Sequence, residues 1–267
     1  MKLDCTTADT VLGADNRVAF RQKIEDQNCI AIKKGTANAE TLTVAFWVKS
    51  NKTGTYVIEL YDFANARQVS QSYTIDSANT WEKKVLSYPA DTTGTMDNDN
   101  TSGIGVQFWI TAGTTYTGGT LNTTWNSDTT ANRASGLTVN IADSTSNEWL
   151  MTGLQLEIGT FDANSIPPFQ FEDVGTSLAR CQRYCYAFAS YGSGDNINNR
   201  QYSARYGGSG SFIHISYPTQ MRLEPSITYT ASGGALSTDY STPSNLQFFD
   251  NDDTGWLIYD VLAEAEL

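Results

Sequence analysis

The side chains in this chain that could do chemistry are mostly oxygen donors. Asp91, Asp97 and Asp99 lie in the run Asp91-Thr92-Thr93-Gly94-Thr95-Met96-Asp97-Asn98-Asp99-Asn100, a concentration of the hard ligands that calcium takes. Asp250-Asn251-Asp252-Asp253-Thr254-Gly255 is a second such run. It opens like a helix–loop–helix calcium site, but Val261 stands where the bidentate glutamate belongs. Both runs also read as ordinary Asx-rich turns. The first is the favoured candidate for a structural calcium, and no other cofactor motif or phosphate-cradling glycine loop is present.

Aromatic rings offer a second chemistry, because a pyranose face stacks on an exposed ring while polar neighbours bond its hydroxyls. Tyr116, Asn122 and Trp125 fall in a Thr/Asn-rich stretch and form the candidate sugar-binding group, set against the plainer reading that they pack the loop onto a sheet. Trp47, Trp81, Trp109 and Trp149 lie inside strand-like runs and read as core.

Catalysis finds little material. A glycosidase needs two carboxylates facing one ring, and nothing in the spacing of Glu59, Glu82, Glu148 and Glu157 brings two together; solvent-facing strand positions explain each. One histidine, His214, would have to serve any triad, and it sits beside Phe212 and Ile213 in a strand-like run. The chain therefore reads as a non-enzyme. Cys5, Cys29, Cys181 and Cys185 lack metal-site or redox spacing and read as buried free thiols, with a Cys5–Cys29 bridge open if their segments pair.

The elements that must position these residues are strands. Thr41–Lys49, Thr55–Leu60, Gln71–Ile75, Trp81–Tyr88, Gly103–Ile110 and Glu148–Ile158 are rich in β-branched and aromatic residues, with turn residues between them. Ile104, Val106, Phe108 and Ile110 alternate onto one face. Many short strands with little helical periodicity predict a sandwich or barrel. The polar stretch from Ile110 to Val139 reads as a structured or functional surface loop, and Asp162–Pro168 as a linker. Thr176–Tyr184 begins the one convincing helix, capped by Thr176 or Ser177, with Leu178, Cys181 and Cys185 on one face. Strands resume at Gln201–Tyr206, Ser211–Tyr217, Ser226–Thr230, Asn245–Phe249 and Trp256–Leu262. The expected class is all-β in two domains, 1–170 and 171–267, with one short helix at the junction.

Composition excludes several roles. Of 267 residues 17 are basic and 29 acidic, giving a net charge of −12 that repels phosphate backbones. The longest basic runs are the pairs Lys33-Lys34 and Lys83-Lys84, so nucleic-acid binding is not expected. No apolar run is long enough to cross a membrane, and Met1-Lys2-Leu3-Asp4 does not open a secretory signal. Charged residues make up only 17% and aromatic residues 12%, which leaves much uncharged surface that subunits could bury.

Motif order adds a resemblance. Ile24-Glu25-Asp26, Gly35-Thr36, Thr41 to Ser50, Gly54-Thr55-Tyr56, Thr80-Trp81-Glu82, Asp91 to Gly94 and Met151-Thr152-Gly153-Leu154-Gln155-Leu156-Glu157-Ile158-Gly159 occur in this order. Pro168-Phe169, Leu178 to Tyr184, Tyr217-Pro218, Met221-Arg222-Leu223-Glu224-Pro225 and Ala263 to Leu267 follow. The series resembles the C-terminal region of tail fibres from tailed bacteriophages. The resemblance implies a jelly-roll domain similar to carbohydrate-binding modules, then a small β domain. It implies a homotrimer on the virion surface, made in the host cytoplasm, contacting other virion proteins and a host glycan or receptor. It transfers no catalytic residue. Such domains usually close a longer fibre, whereas here the pattern begins just after Met1. The chain is then a fragment of a fibre or a free-standing protein, and the competing role is structural decoration of capsid or tail without a receptor.

Overall fold

The computed structural model describes residues 1–188, 197–198, 204–205, 211–232, 236–250 and 257–266. Contacts within the chain divide it into two units, Met1–Gln170 and Phe171–Leu267. The architecture is all-β, with a pair of sheets resembling a jelly-roll sandwich in the first unit and smaller sheets with a short helix in the second.

Unit 1 contains β1 (Lys2–Asp4), β2 (Arg17–Glu25), β3 (Leu42–Ser50), β4 (Gly54–Asp62), β5 (Arg67–Ile75), β6 (Glu82–Tyr88), β7 (Ser102–Ala112), the short helix α1 (Thr114–Thr117), β8 (Asn126–Ser127) and β9 (Glu148–Ile158). One sheet has the order β1-β9-β3-β6 and the other β2-β7-β4-β5-β8, with every pairing antiparallel. Alternation decides what faces inward. Leu42, Val44, Phe46 and Val48 of β3 meet Tyr56, Ile58 and Leu60 of β4, and Ile104, Val106, Phe108 and Ile110 of β7, in one buried cluster. Phe46 meets Phe108 edge-on with centroids 5.1 Å apart, and Trp149 lies 5.7 Å from Phe108. Each large apolar side chain so buried contributes about 1.5–3 kcal/mol.

The same alternation corrects the assignment of tryptophans to the core. Trp149 is fully buried between the sheets. Trp47 must point away from the cluster because Phe46 and Val48 point into it, and it is 44% exposed. Trp81, just before β6, is 41% exposed, with the Lys49 ammonium 5.7 Å from its ring. Trp109 is buried, but on the outer face of the five-stranded sheet. The Asp162–Pro168 segment is not a free linker: Ile166 is buried, and Gln155 Nε2 donates to the Pro167 carbonyl at 3.1 Å.

In unit 2, α2 (Val174–Gln182) is capped by Asp173, whose carboxylate accepts from the Thr176 amide at 3.0 Å and its hydroxyl at 2.6 Å. Thr176 is thus the partner of the cap. Strands β10 (Cys185–Phe188), β11 (Ile197–Asn198), β12 (Ala204–Arg205), β13 (Ser211–Ser216), β14 (Ser226–Ser232), β15 (Leu236–Ser241), β16 (Asn245–Asp250) and β17 (Leu257–Glu264) form two four-stranded sheets around a cluster that includes Ile213, Met221, Leu246, Phe248 and Ile258. His214 is exposed on β13, opposite Gln247. All four cysteines are free, and only Cys29 is buried; Cys181 and Cys185 are exposed, against expectation. Among the described residues no helix is long and apolar enough to cross a membrane.

Candidate functional site

The outer face of the five-stranded sheet carries polar side chains because the inner face claims the alternate positions. Register sets them in rows. Arg21 of β2, Gln107 of β7, Glu59 of β4 and Ser70 of β5 lie side by side, and so do Ala19, Trp109, Val57 and Ser72. Lys23, Gly105 and Tyr61 form a third row. A Cβ on Gly105 would come within 2.7 Å of the Phe63 ring, so glycine lets that ring lie beside Arg21, whose guanidinium is 5.3 Å from it.

The polar stretch after β7 folds over part of this face. Tyr116 of α1, Leu121, Ala134 and Leu137 pack with Val57 and Trp109. Backbone bonds hold the loop to the sheet: Thr138 to Thr55 at 3.0 Å, Asp128 to Ala66 at 2.8 Å and Ser70 to Asn122 at 2.6 Å. Coverage stops short of β2. Between the loop and that edge strand lies an open cleft of about 430 Å³ lined by Arg17, Arg21, Gln107, Trp109, Tyr116 and Arg133, among others. Ala19, the small residue in register with Trp109, leaves the floor low.

Electrostatics beneath the cleft centre on Glu59, which is fully buried. Arg133 donates Nε to Oε1 at 2.8 Å and Nη2 to Oε2 at 2.9 Å, and Trp109 Nε1 donates to Oε2 at 3.1 Å. Burial pushes the Glu59 carboxyl above its ordinary range, against the pull of Arg133. The Arg133 guanidinium also stacks 4.7 Å from the Tyr61 ring and 5.5 Å from the Trp109 ring. Glu59 is therefore a structural anion and not the solvent-facing strand residue expected. Glu82 bonds the Ser77 amide at 2.8 Å and pairs with Lys84, and Glu148 pairs with Lys2 at 2.8 Å.

Of the three residues expected to contact sugar, Tyr116 lines the cleft; its ring lies 5.1 Å from Trp109 and 4.9 Å from the Arg17 guanidinium, which also donates to its hydroxyl. Asn122 and Trp125 brace the loop instead. Asn122 Oδ1 accepts from Asn132 Nδ2 at 3.2 Å. Trp125 packs against the sandwich core, and its Nε1 donates to the Pro89 carbonyl at 2.9 Å.

The calcium candidates are also placed. Asp91 is buried and bonded to Arg67 through both oxygens, Oδ2 to Nε at 2.7 Å and Oδ1 to Nη2 at 3.0 Å. The buried Lys34 ammonium contacts Asp91 at 3.0 Å, the carbonyls of Thr93 and Gly94 at 2.9 and 3.0 Å, and Asp62. Trp125 covers this ammonium at 5.2 Å. Gly94, at φ +78°, permits the approach: a Cβ there would stand 2.8 Å from Lys34 Nζ. Burial alone would raise the Asp91 pKa, but bonds from Arg67, Lys34 and the Thr93 amide outweigh it and hold the carboxyl below its ordinary 3.8. Lys34 and Arg67 thus supply the positive charge that the sequence reading assigned to a metal. Asp97 and Asp99 are exposed, and Asp99 Oδ1 accepts from the Thr101 amide and hydroxyl at 2.8 and 2.7 Å. Among the described residues no three His, Cys, Asp or Glu side chains converge as a metal site. Residues 251–255 of the second acidic run lie outside the described residues.

Sequence reasoning missed Arg17, Arg21, Gln107 and Arg133. A signal existed for the first two, since Arg17, Ala19, Arg21 and Lys23 alternate with Val18, Phe20 and Ile24. Nothing local marked Arg133.

No protein-family model matches the chain, and no curated protein matches it in sequence. Among solved structures, recombinant discoidin II of Dictyostelium discoideum aligns over 85% of this chain and 74% of that chain, at 9% identity and a TM-score of 0.19. An alignment that loose carries no argument about fold or ligand.

Proposed function

We propose that this chain is a non-catalytic saccharide-binding protein that works on the surface of a tailed bacteriophage, attaching the particle to a host glycan. The observation that carries the reading is the cleft. Guanidinium forks and the Tyr116 hydroxyl surround a low floor, with the Gln107 amide and the Trp109 ring buried beneath it. Hydroxyl-rich ligands are held by such planar polar groups at the mouth of a cleft. The carboxylate beneath the cleft is bonded by Arg133 and Trp109 and stays out of acid–base work.

The tail-fibre part of the proposal is supported by the order of motifs along the sequence. The homotrimer is what the same resemblance implies, and the apolar surface around α2, where Val174 is 83% and Leu178 54% exposed, supports self-association. Weak single-site contacts would then be multiplied by the copies on a particle. Retention of the purified protein on immobilised host envelope polysaccharide, lost in Tyr116→Ala, is the expected result. Absence of retention, with the protein found on virions, would contradict the receptor role in favour of structural decoration. A monomeric mass in light scattering would contradict the trimer.

A further inference from the structure

The cleft holds more positive charge than its own carboxylate balances, and we infer that it selects saccharides carrying an anionic substituent, a carboxylate or a sulfate, received by Arg17 and Arg21. The inference rests on the cleft being the saccharide site proposed above. Three guanidinium groups line it, and the carboxylate beneath, Glu59, is committed to Arg133 at both oxygens. Arg17 donates to the Tyr116 hydroxyl and Arg21 Nε to Gln107 Oε1, both neutral acceptors, and neither arginine has an ion pair with a described carboxylate. These bonds leave most of each guanidinium's N–H donors free for a ligand.

The charge placement is against the trend of the whole chain, whose net charge is −12. Arg21 bears the cost of this crowding: burial, and then repulsion from Arg133, hold its pKa below its ordinary value, with a smaller repulsion from Arg17, and the attraction of Glu59 offsets them only in part. An anion between Arg17 and Arg21 relieves that repulsion, and a guanidinium fork meets carboxylate or sulfate oxygens with paired charge-assisted bonds. A neutral sugar obtains no such gain. Phe63 and Tyr116 flank the two guanidinium groups and restrict their orientation, so less side-chain freedom is lost on binding.

The test is binding of the full chain to a glycan panel in matched forms: uronate- and sialate-bearing chains, sulfated chains, and their carboxyl-reduced or desulfated counterparts. The expected result is at least about tenfold preference for one acidic form over its neutral counterpart, weakening with added salt and abolished in Arg17→Gln/Arg21→Gln. The uronate, sialate and sulfate arms identify the substituent. Equal binding of acidic and neutral forms would overturn the inference and leave saccharide binding standing. Acidic preference unchanged in the double variant, with its melting temperature intact, would overturn the assignment to these arginines. Binding to no member of the panel would overturn both the inference and the reading beneath it.

Discussion

Glu59 and Arg133, 74 positions apart in sequence, are joined by two bonds of 2.8 and 2.9 Å under a cleft whose other two arginines form no ion pair with a described carboxylate. The pair ties the covering loop to β4. It separates a structural arginine from two that are available to a ligand.

Stability should report that separation. Glu59→Gln leaves a largely desolvated guanidinium without its counter-charge, a loss of about 3–5 kcal/mol, and should lower the melting temperature of unit 1 by roughly 10 °C. Arg21→Gln removes no ion pair but takes the donor from the buried Gln107 Oε1, and should cost about 1 kcal/mol, well below the loss in Glu59→Gln. Thermal circular dichroism of the two variants checks this. Equal losses would show that Arg21 serves the fold as Arg133 does.

Acid sensitivity should trace to Asp91. Its folded pKa lies below the ordinary 3.8, so its contribution is complete above that value and disappears as pH falls through the folded pKa. Denaturant unfolding followed from pH 6 downward should steepen below about pH 4. In Asp91→Asn that limb should be shallower, on a protein already less stable at neutral pH because Lys34 and Arg67 share one buried carboxylate fewer. An acid limb of unchanged slope would assign the transition to other groups.

Chelation should leave unit 1 untouched. Both Asp91 oxygens are bonded to cationic side chains, so no metal is needed to hold this run against the sheet. Scanning calorimetry with and without EDTA should give the same unit 1 transition. A fall in that transition reversed by calcium would restore the metal.

Thiol reactivity should divide the cysteines. Cys29 is 1% exposed, and burial pushes its thiol up to about 11, so almost no thiolate is present at pH 8. Iodoacetamide under native conditions should modify exposed Cys181 and spare Cys29 until denaturant is added, as read by peptide mass spectrometry. Native labelling of Cys29 would contradict its burial.

How much was legible in the sequence follows from the range of each signal. Alternation in Ile104, Val106, Phe108 and Ile110 acts within one strand, and all four enter the core as read. Trp47 shows the limit of composition: it is as apolar as Phe46, and only strand phase turns it outward. The cleft depends on register between strands. Arg21, Gln107 and Glu59 become neighbours only after β2, β7 and β4 pair, and Arg133 arrives from a loop. The aspartate run was legible as a charge cluster, but its counter-ions are Lys34 and Arg67, far away in sequence. Tyr116 and Trp125 shared one composition signal, and packing sent the first to the cleft and the second to the core.

Saccharide binding through the cleft is tested most directly by filling it. Ala19 lies on the cleft floor and is solvent-exposed, so Ala19→Trp adds volume there without removing a core contact. Titration calorimetry with the best-bound glycan should show affinity reduced at least about a hundredfold in Ala19→Trp, a loss of roughly 3 kcal/mol, with an unchanged melting temperature. Wild-type affinity in the filled variant would place the binding surface elsewhere on the molecule.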